Sequence, residues 1–164
     1  MSRTLKRPFP VGFKTFPVTT LPARDGVPHG TVRRSANAPN CSYFTNWTTT
    51  DDRITWDVDV NTAGKYRAEV QYTCEQENVG ATVELSLGAA KLAAKVTEAH
   101  DPKPYGAEND RVPRVGESQM KDFKPWGMGE VQLPKGRGSL TLRATDIPGK
   151  GVIEVRAVVL TLLE

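Results

Sequence analysis

"ITWDVDVNTAGKYRAEVQYT", residues 54–73, alternates apolar and polar side chains in two runs separated by a short turn. Ile54, Trp56, Val58 and Val60 fall on one face of an extended chain, and Thr55, Asp57 and Asp59 on the other, the period of a half-buried strand. After "NTAG", Tyr66, Ala68, Val70 and Tyr72 resume the inward phase, while Arg67, Glu69, Gln71 and Thr73 face solvent. The two runs are expected to be antiparallel neighbours. Trp56 is assigned to the core.

The pattern continues downstream. "ATVELSL" and "KLAAKV" flank Gly88 as a second hairpin, and "GEVQLPKGRGSLTLRA" sets Val131 and Leu133 against Leu140, Leu142 and Ala144 as a third. In "VIEVRAVVLTLL" the apolar phase runs Ile153, Val155, Ala157 and then shifts to Val158, Leu160, Leu162, which predicts a β-bulge near Ala157. No segment has the spacing of an amphipathic helix. Short strands separated by Gly and Pro turns predict an all-β chain, an antiparallel β-sandwich of jelly-roll type.

With 164 residues the chain suits one domain, large enough to bury a core without metal or disulfide staples. No apolar run approaches the roughly 20 residues that cross a bilayer, so no membrane partner is expected. The net charge of +3 is unevenly placed: residues 1–37 hold seven Lys or Arg against Asp25 alone. Residues 1–20 therefore read as a linker-like basic arm and residues 21–164 as the sandwich. The start has no apolar stretch of signal-peptide length, and the chain is expected to be a module excised from a larger protein. No recognition helix or zinc spacing accompanies the basic arm, so nucleic acid is not an expected partner. Residues 98–126, "EAHDPKPYGAENDRVPRVGESQMKDFKPW", form a polar excursion almost without Val, Ile or Leu but with four prolines. Loops of this length are commonly functional or disordered, and the prolines favour order.

"ITWDVDVNTAGKYRAEVQY", followed far downstream by "VQLPKGRGSLTL" and "GVIEVRAVVLTLL", resembles galactose-binding-like β-sandwiches of the carbohydrate-binding module family six type. "LPARDGVPHGTVRRSANAPNCSYFTNW", "VTEAHDPKPYGAENDRVPRVGESQMKDF" and "GRGSLTLRATDIPG" resemble the C-terminal domain that follows the catalytic domain in bacterial sulfatases of the arylsulfatase or N-acetylgalactosamine-6-sulfatase-like group. The resemblance covers roughly residues 8–164. It implies a galactose-binding-like fold, a sulfatase parent, export to the periplasm or cell exterior, and a glycan ligand, sulfated or neutral. It also allows a structural calcium ion, for which Asp25 and Glu154 sit at comparable places; no other cofactor is expected.

Catalysis by this chain is not expected. Neither Cys-x-Pro nor Ser-x-Pro, the start of the sulfatase nucleophile motif, occurs. Cys41 and Cys74 have no neighbouring His to activate a thiolate, and two histidines cannot build a His-rich metal site. In an exported sandwich the two cysteines either form one disulfide or stay as buried thiols.

Sugar recognition needs flat aromatic faces and hydrogen-bonding groups, with cations added for sulfate. Loops at one end of a sandwich gather such groups. The aromatic candidates are Tyr43, Trp47, Tyr105 and Trp126, each of which could instead pack in the core. Asn46, His100, Asp101, Arg111 and Arg114 are the polar candidates, and Arg111 could instead pair with Asp110 or Glu108. Two functions follow: a glycan-targeting module of a sulfatase, or an interaction domain that packs on the catalytic domain without binding sugar.

Overall fold

The computed structural model describes residues 8–35, 43–101 and 123–163. Twelve strands occur among them: β1 (Phe9–Val11), β2 (Val18–Pro22), β3 (Val27–His29), β4 (Arg33–Arg34), β5 (Phe44–Thr45), β6 (Arg53–Val60), β7 (Gly64–Thr73), β8 (Thr82–Leu87), β9 (Ala90–Lys95), β10 (Lys124–Leu133), β11 (Gly136–Asp146) and β12 (Glu154–Leu162). The described residues contain no α-helix; two 3-10 turns, Ala23–Asp25 and Gln76–Asn78, are the helical elements there.

The strands form two sheets. One runs β1-β6-β11-β8-β9, with β3 sharing the β1 edge of β6; the other runs β10-β7-β12-β5-β4, with β2 beside β5 on β12. All pairings are antiparallel except β1 with β6. The chain is thus the expected β-sandwich.

The alternation read from the sequence places its residues correctly in depth. Ile54, Trp56, Val58 and Val60 are buried from one sheet, and Tyr66, Ala68, Val70 and Tyr72 from the other. Trp56 donates its indole N–H to Pro22 O at 3.0 Å and meets Phe44 edge-on at 6.3 Å, so its one polar atom is satisfied inside the core. Tyr66 and Tyr72 satisfy their hydroxyls on Thr62 O (2.6 Å) and Glu98 O (2.8 Å).

Three expectations are corrected. β6 and β7 are not neighbours: their turn crosses from one sheet to the other. β10 and β11 do the same, whereas β8 and β9 form the expected hairpin. The arm is shorter than 20 residues, because β1 and β2 belong to the sandwich and bury Val11 and Leu21 completely. The bulge is present: register shifts between Val155 and Ala157, so Val155 and Ala157 oppose Tyr72 and Gln71.

The two ends of the sandwich differ. At one end, Leu162 N donates to Pro17 O at 2.9 Å beside the turn Phe13–Phe16, whose aromatic rings are exposed at 39% and 72%. At the other end, β7 finishes, β12 begins, and the loops after β5, β7 and β11 meet.

Candidate functional site

At that second end the loops enclose a pocket of about 280 Å³. Its walls come from Thr45–Thr48, from Thr73–Glu75 with Glu77 and Asn78, from Asp101, and from Lys150–Glu154. The volume lies just under the ~300–1,000 Å³ usual for sites that take drug-sized ligands.

Each wall is braced by its own hydrogen bonds. Asp52 is 1% exposed, and its carboxylate gathers Thr31 N (2.5 Å), Thr31 Oγ1 (2.5 Å), Thr48 N (3.1 Å) and Thr49 N (3.0 Å). Burial pushes its pKa up, but the Thr31 hydroxyl and the amides of Thr31, Thr48 and Thr49 outweigh that and hold it below the ordinary carboxylate value. Asn46 takes a positive φ of 62° and donates its side-chain amide to Thr31 O at 2.8 Å, turning the chain sharply just before Trp47.

Opposite, Asn78 Oδ1 accepts from Lys150 N (3.1 Å) and Gly151 N (3.0 Å), tying the β7–β8 loop to the β11–β12 loop. Val152 N donates to Trp47 O at 2.9 Å, which closes the ring of loops. Glu154, deeper, accepts from Thr45 Oγ1 at 2.6 Å and from Thr73 Oγ1 at 2.9 Å.

The electrostatics are one-sided: Glu75, Glu77, Asp101 and Glu154 line the pocket against Lys150. Glu75 is held above its ordinary carboxyl value, first by its hydrogen bond with Glu77, then by burial and by the charges of Asp101, Glu77 and Glu154. Cys74 is a free, buried thiol that burial, with Glu75 and Asp101, pushes up to about 11. Its partner in the disulfide reading, Cys41, lies outside the described residues.

The predicted site residues divide. Trp47 is 2% exposed and packs in the core at the edge of the pocket, so it lacks the open ring face that stacking on a sugar needs. Tyr43 is 8% exposed with its ring 5.3 Å from that of Phe123, which withdraws it too as a stacking platform. His100 and Trp126 are brought together around the buried Tyr72, with ring centroids 6.2 and 5.9 Å from its own. Lys124 lies over the same Tyr72 ring at 5.9 Å and pairs with Glu98 at 3.3 Å. His100 is held through its backbone, exchanging bonds of 2.7 and 2.8 Å with Cys74, and this positions Asp101 at the pocket. Tyr105, Arg111 and Arg114 lie outside the described residues.

Of the calcium pair, Glu154 lines the pocket while Asp25 sits exposed on the turn before β3. Among the described residues no group of three or more His, Cys, Asp or Glu is placed to hold a metal ion. The pocket residues that sequence reading passed over are Glu75, Glu77, Asn78 and Lys150. The signal for them was "CEQEN" directly after a strand, a clustering of carboxylates at a loop entrance.

No family model and no curated protein matches the sequence. Solved structures do resemble it in fold. A family 35 carbohydrate-binding module from Clostridium thermocellum superposes with a TM-score of 0.56 at 12% identity over 87% of this chain and 96% of that one. The C-terminal family 6 module of LamC, a laminarinase from Zobellia galactanivorans, gives 0.54 at 12% identity over 88% and 98%. A Podospora anserina mannanase with a family 35 module gives 0.59 at 16% identity over 90% of this chain, which spans only 28% of the mannanase chain. The likeness establishes a carbohydrate-binding-module type of β-sandwich.

Proposed function

We propose that the chain is a noncatalytic glycan-binding module and that the loop-end pocket is its binding site. The observation that carries this reading is the pocket itself: a concave, hydrogen-bonding cavity set by braced loops at one end of a sandwich whose structural neighbours are carbohydrate-binding modules. Thr, Asn and carboxylate groups suit sugar hydroxyls. An attached sulfatase and an exported location belong to the same proposal and rest on the sequence resemblance. The acidic lining disfavours a sulfated sugar in this pocket, so a sulfated ligand would need Arg111 and Arg114.

A glycan array probed with the full chain tests the reading. Binding to at least one neutral or charged glycan class is expected, weakened by Asn78→Ala, which unties two walls of the pocket. Absence of binding to every glycan would overturn it. One observation favours the interaction-domain reading instead: Phe13 and Phe16 are exposed at the end opposite the pocket. Loss of co-purification with a partner domain on Phe16→Ser would support that alternative.

A further inference from the structure

Away from the pocket, the outward face of the first sheet sets two like charges against each other. Arg53 on β6 and Arg143 on β11 are direct cross-strand partners, and both are exposed. Directly opposed side chains in an antiparallel pair have Cβ atoms about 4.5–5.5 Å apart, and like charges so placed are destabilising. Arg143 is relieved by Glu84, its partner on β8, at 3.5 Å. Arg53 is not: among the described residues its side chain joins no ion pair or hydrogen bond, and its neighbour on β3 is His29. Burial first, and then the charge of Arg53, hold the His29 imidazole below its ordinary value.

On β9, Lys91 and Lys95 are exposed on either side of Ala93, the partner of Glu84. The cations thus form a band across β3, β6, β11, β8 and β9, roughly 19 Å wide at about 4.8 Å per strand. The hydroxyl residues Thr55, Thr141 and Ser86 make the adjoining row. Of the other outward carboxylates, Asp57 is engaged by Arg137 at 2.7 Å, and Asp59 and Asp146 lie toward opposite ends of the face.

A local conflict without internal compensation is expected at functional positions, where a ligand resolves it. Guanidinium forks take sulfate or carboxylate oxygens bidentately. The outward residues of β6, β8, β9 and β11 include no aromatic ring on which a nucleic-acid base could stack. Resting on the glycan-binding reading above for the class of ligand, we infer that this face is a second binding surface, separate from the acidic pocket, on which Arg53 and Arg143 hold the anionic groups of an acidic polysaccharide laid across the strands.

The test is affinity electrophoresis of the full chain at low salt in gels holding dextran sulfate, polygalacturonate or neutral dextran. Both polyanions are expected to retard it, with affinity about tenfold or more above neutral dextran, and the retardation to fade as salt is raised. Arg53→Gln should weaken polyanion binding about fivefold while leaving the thermal transition unchanged or higher, because it removes a repulsion. Arg67→Gln, on an exposed residue of the other sheet, removes the same charge and should leave the affinity within about twofold of wild type. Equal losses in the two variants would reduce the effect to net charge and overturn the surface, as would a lowered transition with unchanged affinity in Arg53→Gln. Tighter binding of a single-stranded oligonucleotide of matched charge overturns the polysaccharide as occupant. No retardation by either polyanion, with the glycan array positive, overturns this surface alone; an array without any positive glycan overturns the wider reading as well.

Discussion

Asp52→Asn keeps side-chain size but turns one carboxylate oxygen into an NH2 group. Four donors converge on the native carboxylate, with Thr48 N and Thr49 N both on Oδ2. If the remaining oxygen keeps Thr31 N, the new amide faces these two backbone N–H groups, donor against donor. The Thr31 hydroxyl can rotate to accept, but a backbone N–H cannot. Thr48 and Thr49 are exposed and their bonds to Asp52 only part-buried, so each orphaned donor costs toward the lower part of about 1–3 kcal/mol, and the variant should lose about 2–4 kcal/mol. For a domain of this size, that lowers Tm by roughly 5–15 °C.

Urea unfolding of wild type and variant from pH 7 down to pH 3 measures this. Because the folded-state pKa is depressed, the native contribution is complete above the unfolded carboxyl value near ~3.9 and is lost as pH falls through the folded one. The two proteins should therefore converge in acid. A difference below about 0.5 kcal/mol at pH 7, or a gap that widens toward low pH, would refute the reasoning. Since Asp52 braces Thr48 at the pocket wall, glycan affinity should fall with stability.

Gly12→Ala should be destabilising by about 2 kcal/mol or more, because Gly12 has φ +76° and a Cβ there collides with the hydroxyl of buried Tyr66. Gly127→Ala, which meets open space, should be nearly neutral in the same melting assay. Trp47→Ala should cost about 3–5 kcal/mol and half-buried Trp126→Ala less, and urea midpoints that reverse this order would contradict the burial described. In a Cys41→Ser background, Cys74 should resist a thiol reagent at pH 8 until the chain unfolds. Its raised pKa gives a contribution complete below the unfolded thiol value near ~8.5 and lost as pH rises through about 11; rapid native labelling at pH 8 would count against it.

Periodicity made the buried faces of β6, β7, β8 and β12 readable, since alternation records which side chains avoid water. It could not say which strands pair. A four-residue turn such as Asn61–Gly64 serves a hairpin or a crossing between sheets equally well, and the choice depends on β11 and β12, far away in sequence. The bulge was legible because an inserted residue flips the apolar phase in view. The aromatics were not: Trp47 in a polar loop has the local appearance of a sugar platform, and only the fold of residues 43–52 over the core buries it. β1 is three residues long, too short for alternation to separate from a linker. The acidic pocket arises from three loops distant in sequence, so no single window contained it.

β12 comes last among the described strands in chain order, yet it lies in the middle of its sheet, between β7 on one side and β2 and β5 on the other. Apart from β8 with β9 and the two-residue β4 with β5, no ladder among the described residues joins consecutive strands. A nascent chain leaving the ribosome therefore holds β2, β5 and β7 with their partner edges open until residue 162 has emerged. Such non-local topologies fold in milliseconds to seconds and expose strand edges while they wait. Trimming about ten residues from the C-terminal side would take out the strand that unites the second sheet, so the sandwich should be lost as a whole rather than frayed at one edge.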